Sequence, residues 1–453
     1  MRRFLTLIFS IFLLYPALTF AHGVGEVYAL PVPLDYYIRS SAIAVGYTFL
    51  ILLLYTDHMR EKWSKRYLKL ISIAKLPIIL STLKIITFLL FTLAILTGIF
   101  GLQEAEQNFT PAFFWIYFLI GMGIASALVG NIWEKLNPWE LLTTYVKFKF
   151  EKVPLSPIFG IGFLIMLYWL ELSSNLSFVP NVLGYTLLVY TIINIFGGSL
   201  YKNWFQEIEV FSVMYGYIGK LAYFNISEDN TKLEYRNQNP ILGGQAGSIW
   251  GLLVVCILLA GTSFDSIKET SIWIKLLISL GFTAPNLFTE SIGIFVAPIP
   301  FLLSYLLAIK AMKWIVKTDY SFFQLSKKFI WSLIPIAFGY ILAHYLSLTI
   351  VTAPQMLALI SDPFGYGWDI FGTASYKQTT LLLGAKFIWF IEIGLVVGAH
   401  IVGVWYAHMT ASNIFEKNLD VIKSQIPFGL LMILFTAVTL WLLAQPLVID
   451  LQM

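Results

Sequence analysis

Apolar residues along this chain collect into about ten runs long enough to cross a bilayer, whose hydrocarbon core asks for roughly twenty residues of helix. The runs occupy residues 36–56, 83–101, 112–131, 157–173, 182–198, 246–261, 291–312, 329–351, 386–408 and 427–445. Two weaker segments, 210–224 and 272–288, read as interfacial, re-entrant or additional spans, which gives ten crossings or twelve without changing the flanking topology. The pattern predicts an all-α fold, a polytopic transmembrane helical bundle that forms one domain over residues 22–453. Composition agrees: 58% of the 453 residues are hydrophobic and 12% charged, the balance of a chain whose partner is the lipid bilayer.

The first segment stands apart from the spans. Arg2 and Arg3 precede an apolar stretch that breaks at Pro16, and Thr19-Phe20-Ala21 supplies the small residues a signal peptidase reads. Residues 1–21 are therefore expected to be a signal peptide. Basic residues orient the rest. Arg60, Lys62, Lys65, Arg66, Lys69 and Lys75 follow the first run; Lys135, Lys147, Lys149 and Lys152 follow the third; Lys313, Lys317, Lys327 and Lys328 precede the run at 329–351. Retained on the cytoplasmic side, they put the mature amino terminus outside, as an export signal also does. An even number of crossings returns the carboxyl terminus to that side, and the expected location is the inner (cytoplasmic) membrane. The loop 102–111, with Glu104 and Glu106 and no basic residue, lies outside, as does a structured loop at 352–385. The net charge of +4 comes from the inner loops and gives no reason to expect nucleic acid.

Gly394 and Gly398 form a GxxxG pair followed by Gly403, a face on which a neighbouring backbone can approach closely. Trp115, Trp331, Trp389 and Trp441 fall near run ends, where indoles favour the headgroup level. The lone cysteine, Cys256, excludes a disulfide framework and a cysteine-based zinc or iron–sulfur site. No Gly-rich nucleotide loop, HExxH motif or internal repeat is present.

Ionisable residues inside apolar runs are costly to bury and mark function. His344 and His400 fall in runs joined by one outer loop, at similar depth, so that the two imidazoles can face one another. Such a pair suits a divalent metal, a haem, a proton relay or a packing network. His408, about 12 Å along the helix from His400, is too far to share an ion with it. Glu392 adds an acid in the outer half of the same run. Between the two runs, residues 361–373 carry Asp362 and Asp369 among glycines and aromatics. Both acids project on the outer side, either completing a metal site or serving as acid and base, or else capping local turns. Cleavage after Ala21 exposes His22, whose amine and imidazole form a chelating pair suited to copper.

The segments Ser332-Leu333-Ile334-Pro335-Ile336-Ala337, Ala343-His344-Tyr345, Ser361-Asp362-Pro363-Phe364-Gly365, Gly367-Trp368-Asp369 and Gly398-Ala399-His400 together resemble a family of bacterial multi-span proteins labelled fenitrothion hydrolase. His22-Gly23-Val24-Gly25, Gly130-Asn131-Ile132-Trp133 with Asn137-Pro138-Trp139, and Ser263-Phe264-Asp265 extend the resemblance over nearly the whole mature chain. The chain departs from the family's pattern at Val27-Tyr28-Ala29 and at Asn137. The resemblance implies hydrolysis of an organophosphorus ester.

Two functions follow as expectations. One is a membrane-embedded, metal-dependent hydrolase with His344 and His400 as ligands of a divalent ion, copper or zinc, with Asp362 or Asp369 as ligand or base, and with a lipophilic small molecule entering from the bilayer. The other is a non-enzymatic protein that handles copper through His22 or transports protons or solute through the intramembrane histidines. The oligomeric state is left open by the sequence.

Overall fold

The computed structural model describes residues 33–54, 68–73, 75–146, 152–172, 176–236, 247–377 and 384–444. The expected signal peptide and His22 lie outside these residues. The principal helices are α1 (Leu34–Leu54), α2 (Leu76–Phe100), α3 (Phe109–Val129), α4 (Ile158–Leu172), α5 (Pro180–Leu200), α6 (Val210–Ile218), α7 (Ile249–Lys268), α8 (Leu287–Val316), α9 (Phe322–His344), α10 (Leu346–Thr352), α11 (Ala385–Ile414) and α12 (Asn418–Leu443). Among the described residues eight are long and apolar enough to cross a membrane, namely α2, α3, α5, α7, α8, α9, α11 and α12. Each corresponds to one of the predicted runs, and together they are consistent with a multi-pass membrane protein.

The two weaker segments are short helices. Residues 210–218 form α6, whose residues 210–215 are all buried, and residues 271–279 form a nine-residue helix. At 1.5 Å per residue each rises only about 13 Å, less than half of the roughly 30 Å a hydrocarbon core requires. A small sheet that the all-α expectation did not include joins β1 (Leu68–Ser72), β2 (Phe224–Ile226) and β3 (Lys232–Arg236) in the antiparallel order β1-β3-β2. Leu233 pairs with both Ile71 and Ile226. Its strands are too short for a period-two signal to separate them from a loop.

Helix crossings are set by small residues, though not by those the GxxxG spacing suggests. A β-carbon placed on Gly394 or Gly398 meets nothing within 4 Å, whereas one on Gly403 falls 2.7 Å from the Ser332 carbonyl and one on Gly339 2.3 Å from the Ala399 methyl. The α9–α11 crossing therefore runs through Gly339, Ala399 and Gly403, and the Gly394–Gly398 face is open. Of the four indoles expected at headgroup level, Trp115, Trp331 and Trp389 are buried within the protein, with the Trp115 Nε1–H donating to the Ser177 carbonyl at 2.8 Å, and Trp441 is half-buried. Position near a run end did not fix the face on which each ring lies.

The Trp133, Asn137 and Trp139 segment finds its role in a buried carboxylate. Glu209 caps α6, its Oε1 accepting from the Phe211 amide at 3.0 Å and the Tyr190 hydroxyl at 2.5 Å. Its Oε2 accepts from the Ser212 amide at 2.7 Å, the Ser212 hydroxyl at 2.5 Å, Trp133 Nε1 at 3.0 Å and Asn137 Nδ2 at 3.4 Å. Phe91, Phe118, Trp133, Trp139 and Phe211 pack edge to face around it. Six donors from three parts of the chain thus converge on one side chain that is 1% exposed.

Candidate functional site

His344 is the last residue of α9, and the helix breaks at Tyr345 (φ −89°, ψ 2°) before resuming as α10. Beside this break a cluster of ionisable groups gathers from four neighbouring elements. His344 Nε2 donates to Asp265 Oδ2 at 2.8 Å, and Lys268, one turn further along α7, lies 3.1 Å from Asp265 Oδ1. The Lys268 Nζ also donates to the Leu172 carbonyl at the end of α4 at 2.9 Å, a cation at the negative end of that helix. The Tyr345 hydroxyl donates to Glu171 on α4. On α11 Glu392 is buried and accepts from the Ser347 hydroxyl at 2.9 Å. The Tyr340 ring stands edge-on to the His344 ring at 6.3 Å, and its hydroxyl is 3.3 Å from the Ser266 hydroxyl.

Three helix ends make this arrangement: the carboxyl ends of α4, α7 and α9 meet, with the early turns of α11 alongside. Backbone carbonyls freed at those ends and at the Tyr345 break require partners in a low-dielectric setting, and polar side chains at the same level supply a matched environment. The Asp265 carboxylate is flanked by an imidazole and an ammonium, so each oxygen has a donor and the Lys268 ammonium compensates its charge.

The predicted site residues are distributed over three places. His344 lies in the cluster. His400 is buried at 1% exposure, with Nδ1 donating to the Val396 carbonyl at 2.8 Å, and its Nε2 has no protein partner. Since Gly339 abuts Ala399, His400 sits level with that glycine, five residues or about 7.5 Å below His344 along α9. The two imidazoles have separate partners. His408 is fully buried, with neither ring nitrogen partnered. No group of three or more His, Cys, Asp or Glu side chains suited to hold a metal ion occurs among the described residues. The donor set at His344 does not fit a metal either, because Lys268 already stands at the carboxylate where a second positive charge would have to sit.

Asp362 and Asp369 build the loop at 361–374. Asp362 accepts from the amides of Tyr366 at 2.9 Å and Gly367 at 2.7 Å. Asp369 accepts from the Ala374 amide and the Ser361 hydroxyl, both at 2.9 Å, and Ser361 in turn accepts from the Phe371 amide at 2.9 Å. Gly365, Gly367 and Gly372 take positive φ of 71°, 85° and 74°, turns that a side chain would strain. Both acids hold turns, the capping alternative left open by the sequence. The Ala374 amide, followed by the Ser361 hydroxyl, pulls the Asp369 carboxyl below its ordinary range. A depressed carboxyl stabilises the loop above the ordinary carboxylate range, and that contribution is lost as pH falls through the lowered value. Protection of the Ala374 amide, its exchange measured against the intrinsic rate at each pH, is expected to persist at pH 5, to be lost in stronger acid, and to be absent already at neutral pH in Asp369→Ala; a protected amide in that variant would remove the assignment.

Asp265, Lys268 and Glu171 escaped the sequence reading. The predicted run at 246–261 stopped short of Asp265, whereas α7 continues to Lys268, so an acid and a lysine at i, i+3 on a helix end read as loop residues. The usable signal was Asp265 within Ser263-Phe264-Asp265. An open apolar groove of about 390 Å³ runs between α9 and α11, lined by Leu221, Tyr223, Pro335, Phe338, Gly394 and Trp405 among others and by none of the cluster residues. Comparison with family models, with curated proteins and with solved structures returns no match.

Proposed function

We propose that this chain is a membrane transport protein that couples proton exchange at the Asp265–His344 pair to movement of a lipophilic small molecule along the α9–α11 groove. The observation that carries the reading is the hydrogen bond between His344 and Asp265 at a helix break, with Lys268 sharing the carboxylate. A proton gained at the second imidazole nitrogen turns a neutral donor into a cation facing Asp265, which strengthens its hold relative to Lys268. Loss of that proton reverses the balance. Intramembrane ionisable pairs at interrupted helices suit such coupling because a single charge change is large in a low-dielectric setting. The groove supports a lipophilic cargo, since its lining is almost wholly apolar, with Pro335, Phe338, Val402 and Trp405 along its walls.

Reconstituted into vesicles with a trapped pH-sensitive dye, the protein is expected to dissipate an imposed pH gradient. Asp265→Asn and His344→Gln each reduce the rate at least tenfold, while Asp362→Asn leaves it unchanged. Full flux in both site variants rules the reading out. The same hydrogen bond favours a second reading, ester hydrolysis, because a carboxylate-held imidazole is what a general base requires. Turnover of an aryl phosphotriester by the vesicles, lost in His344→Gln and without proton flux, selects that alternative.

A further inference from the structure

We infer that the outer loop at 361–377 is a membrane-interface anchor, its aromatic face seated in the headgroup and upper acyl region of one leaflet beside the end of α2. Depth is fixed by two bonds. The Tyr366 hydroxyl donates to the carbonyl of Phe100 at 2.5 Å, and the Leu102 amide donates to the carbonyl of Phe364 at 2.8 Å. Phe100 is the last residue of α2, a helix long and apolar enough to cross a membrane. The loop is therefore tied to the level at which a span leaves the hydrocarbon.

Its surface has the chemistry of that level. Tyr366, Trp368, Ile370 and Phe371 are exposed by 58%, 45%, 57% and 64%, and this apolar patch continues onto Phe100, itself 62% exposed. Phe364 braces the patch, stacking on Tyr366 and standing edge-on to Trp368 with ring centroids 5.4 Å apart in both pairs. A soluble surface rarely presents so much contiguous apolar area, whereas aromatic rings with polar tips favour the lipid boundary. The acids do not oppose insertion, because Asp362 and Asp369 spend their oxygens on the loop's own amides and on Ser361. Lys377, exposed at the loop's end, is placed to meet lipid phosphates. With its turns fixed by three positive-φ glycines, the loop enters as a preformed wedge without a large ordering penalty.

A nitroxide at Phe371→Cys in a Cys256→Ala background, in vesicles of phosphatidylcholine and phosphatidylglycerol, tests this. Collision with oxygen is expected to exceed collision with a water-soluble nickel chelate several-fold, and the order is expected to reverse for Asp229→Cys on the exposed turn between β2 and β3. If Phe371→Cys fails to fold, Ile370→Cys reports on the same face. High nickel access in lipid places the loop in water, and low access to both reagents places it under a protein partner or a second copy; either result overturns the inference.

Discussion

Replacing Glu209 with alanine is expected to lower the stability of the protein by about 3–5 kcal/mol, the cost of several buried donors left without an acceptor and only partly re-solvated. Six donors lose their acceptor in that variant, two of them the α6 amides of Phe211 and Ser212 and two the buried groups Trp133 Nε1 and the Ser212 hydroxyl. Each buried donor left without a partner costs about 1–3 kcal/mol, partly relieved where water enters. Glu209→Gln retains one acceptor oxygen but turns an amide group toward donors, so an intermediate loss is expected. Thermal unfolding in detergent measures the order. A midpoint in Glu209→Ala within a degree or two of the parent would mean that the convergent bonds contribute nothing net.

Asp265→Ala is the second large effect, also about 3–5 kcal/mol, because it leaves the Lys268 ammonium and the His344 imidazole facing each other without the carboxylate between them. His344→Ala removes only one donor and is milder. Combined, the two substitutions are expected to cost less than their sum by about 0.5–3 kcal/mol, the coupling of residues in direct contact. Restoring neutrality with Asp265→Ala and Lys268→Met together is expected to recover part of the loss. A double-mutant cycle on stability reads this independently of any transport assay, and strict additivity of Asp265→Ala and His344→Ala would dissolve the pair even if the proton flux depends on both.

The candidate site was half legible. His344 and Glu392 declared themselves as ionisable residues within apolar runs, a signal that needs no partner to be read. Asp265 and Lys268 did not, since they lie past the run at 246–261, at a helix end where a charged residue is ordinarily a boundary marker, and Glu171, two residues from the end of the run at 157–173, carried the same signal as His344 without being singled out. Which boundary residues face inward depends on where three helices from distant parts of the chain converge. The pairing proposed between His344 and His400 rested on equal depth alone; rotation and tilt of α9 against α11, set by the Gly339–Ala399 contact, gave them different partners. Asp362 and Asp369 were open to two readings because an acid before proline or among glycines suits both a turn and a site, and only the positions of the Gly367 and Ala374 amides decided for the turn.

By itself the sequence determined the helical class and the places where long apolar helices lie, because about twenty apolar residues in a row leave a backbone in lipid no alternative to satisfying its own hydrogen bonds. It also determined that few charges would be buried, and hence that those present would carry meaning. The tertiary structure alone decided which small residues let helices touch, at Gly339 and Gly403 with Gly394 and Gly398 left open. It likewise decided that Trp115, Trp331 and Trp389 turn inward while Trp368 turns outward. These are questions of angular register. A uniformly apolar helix has no stripe from which its rotation can be read, so the face it buries is fixed only by the neighbours it meets.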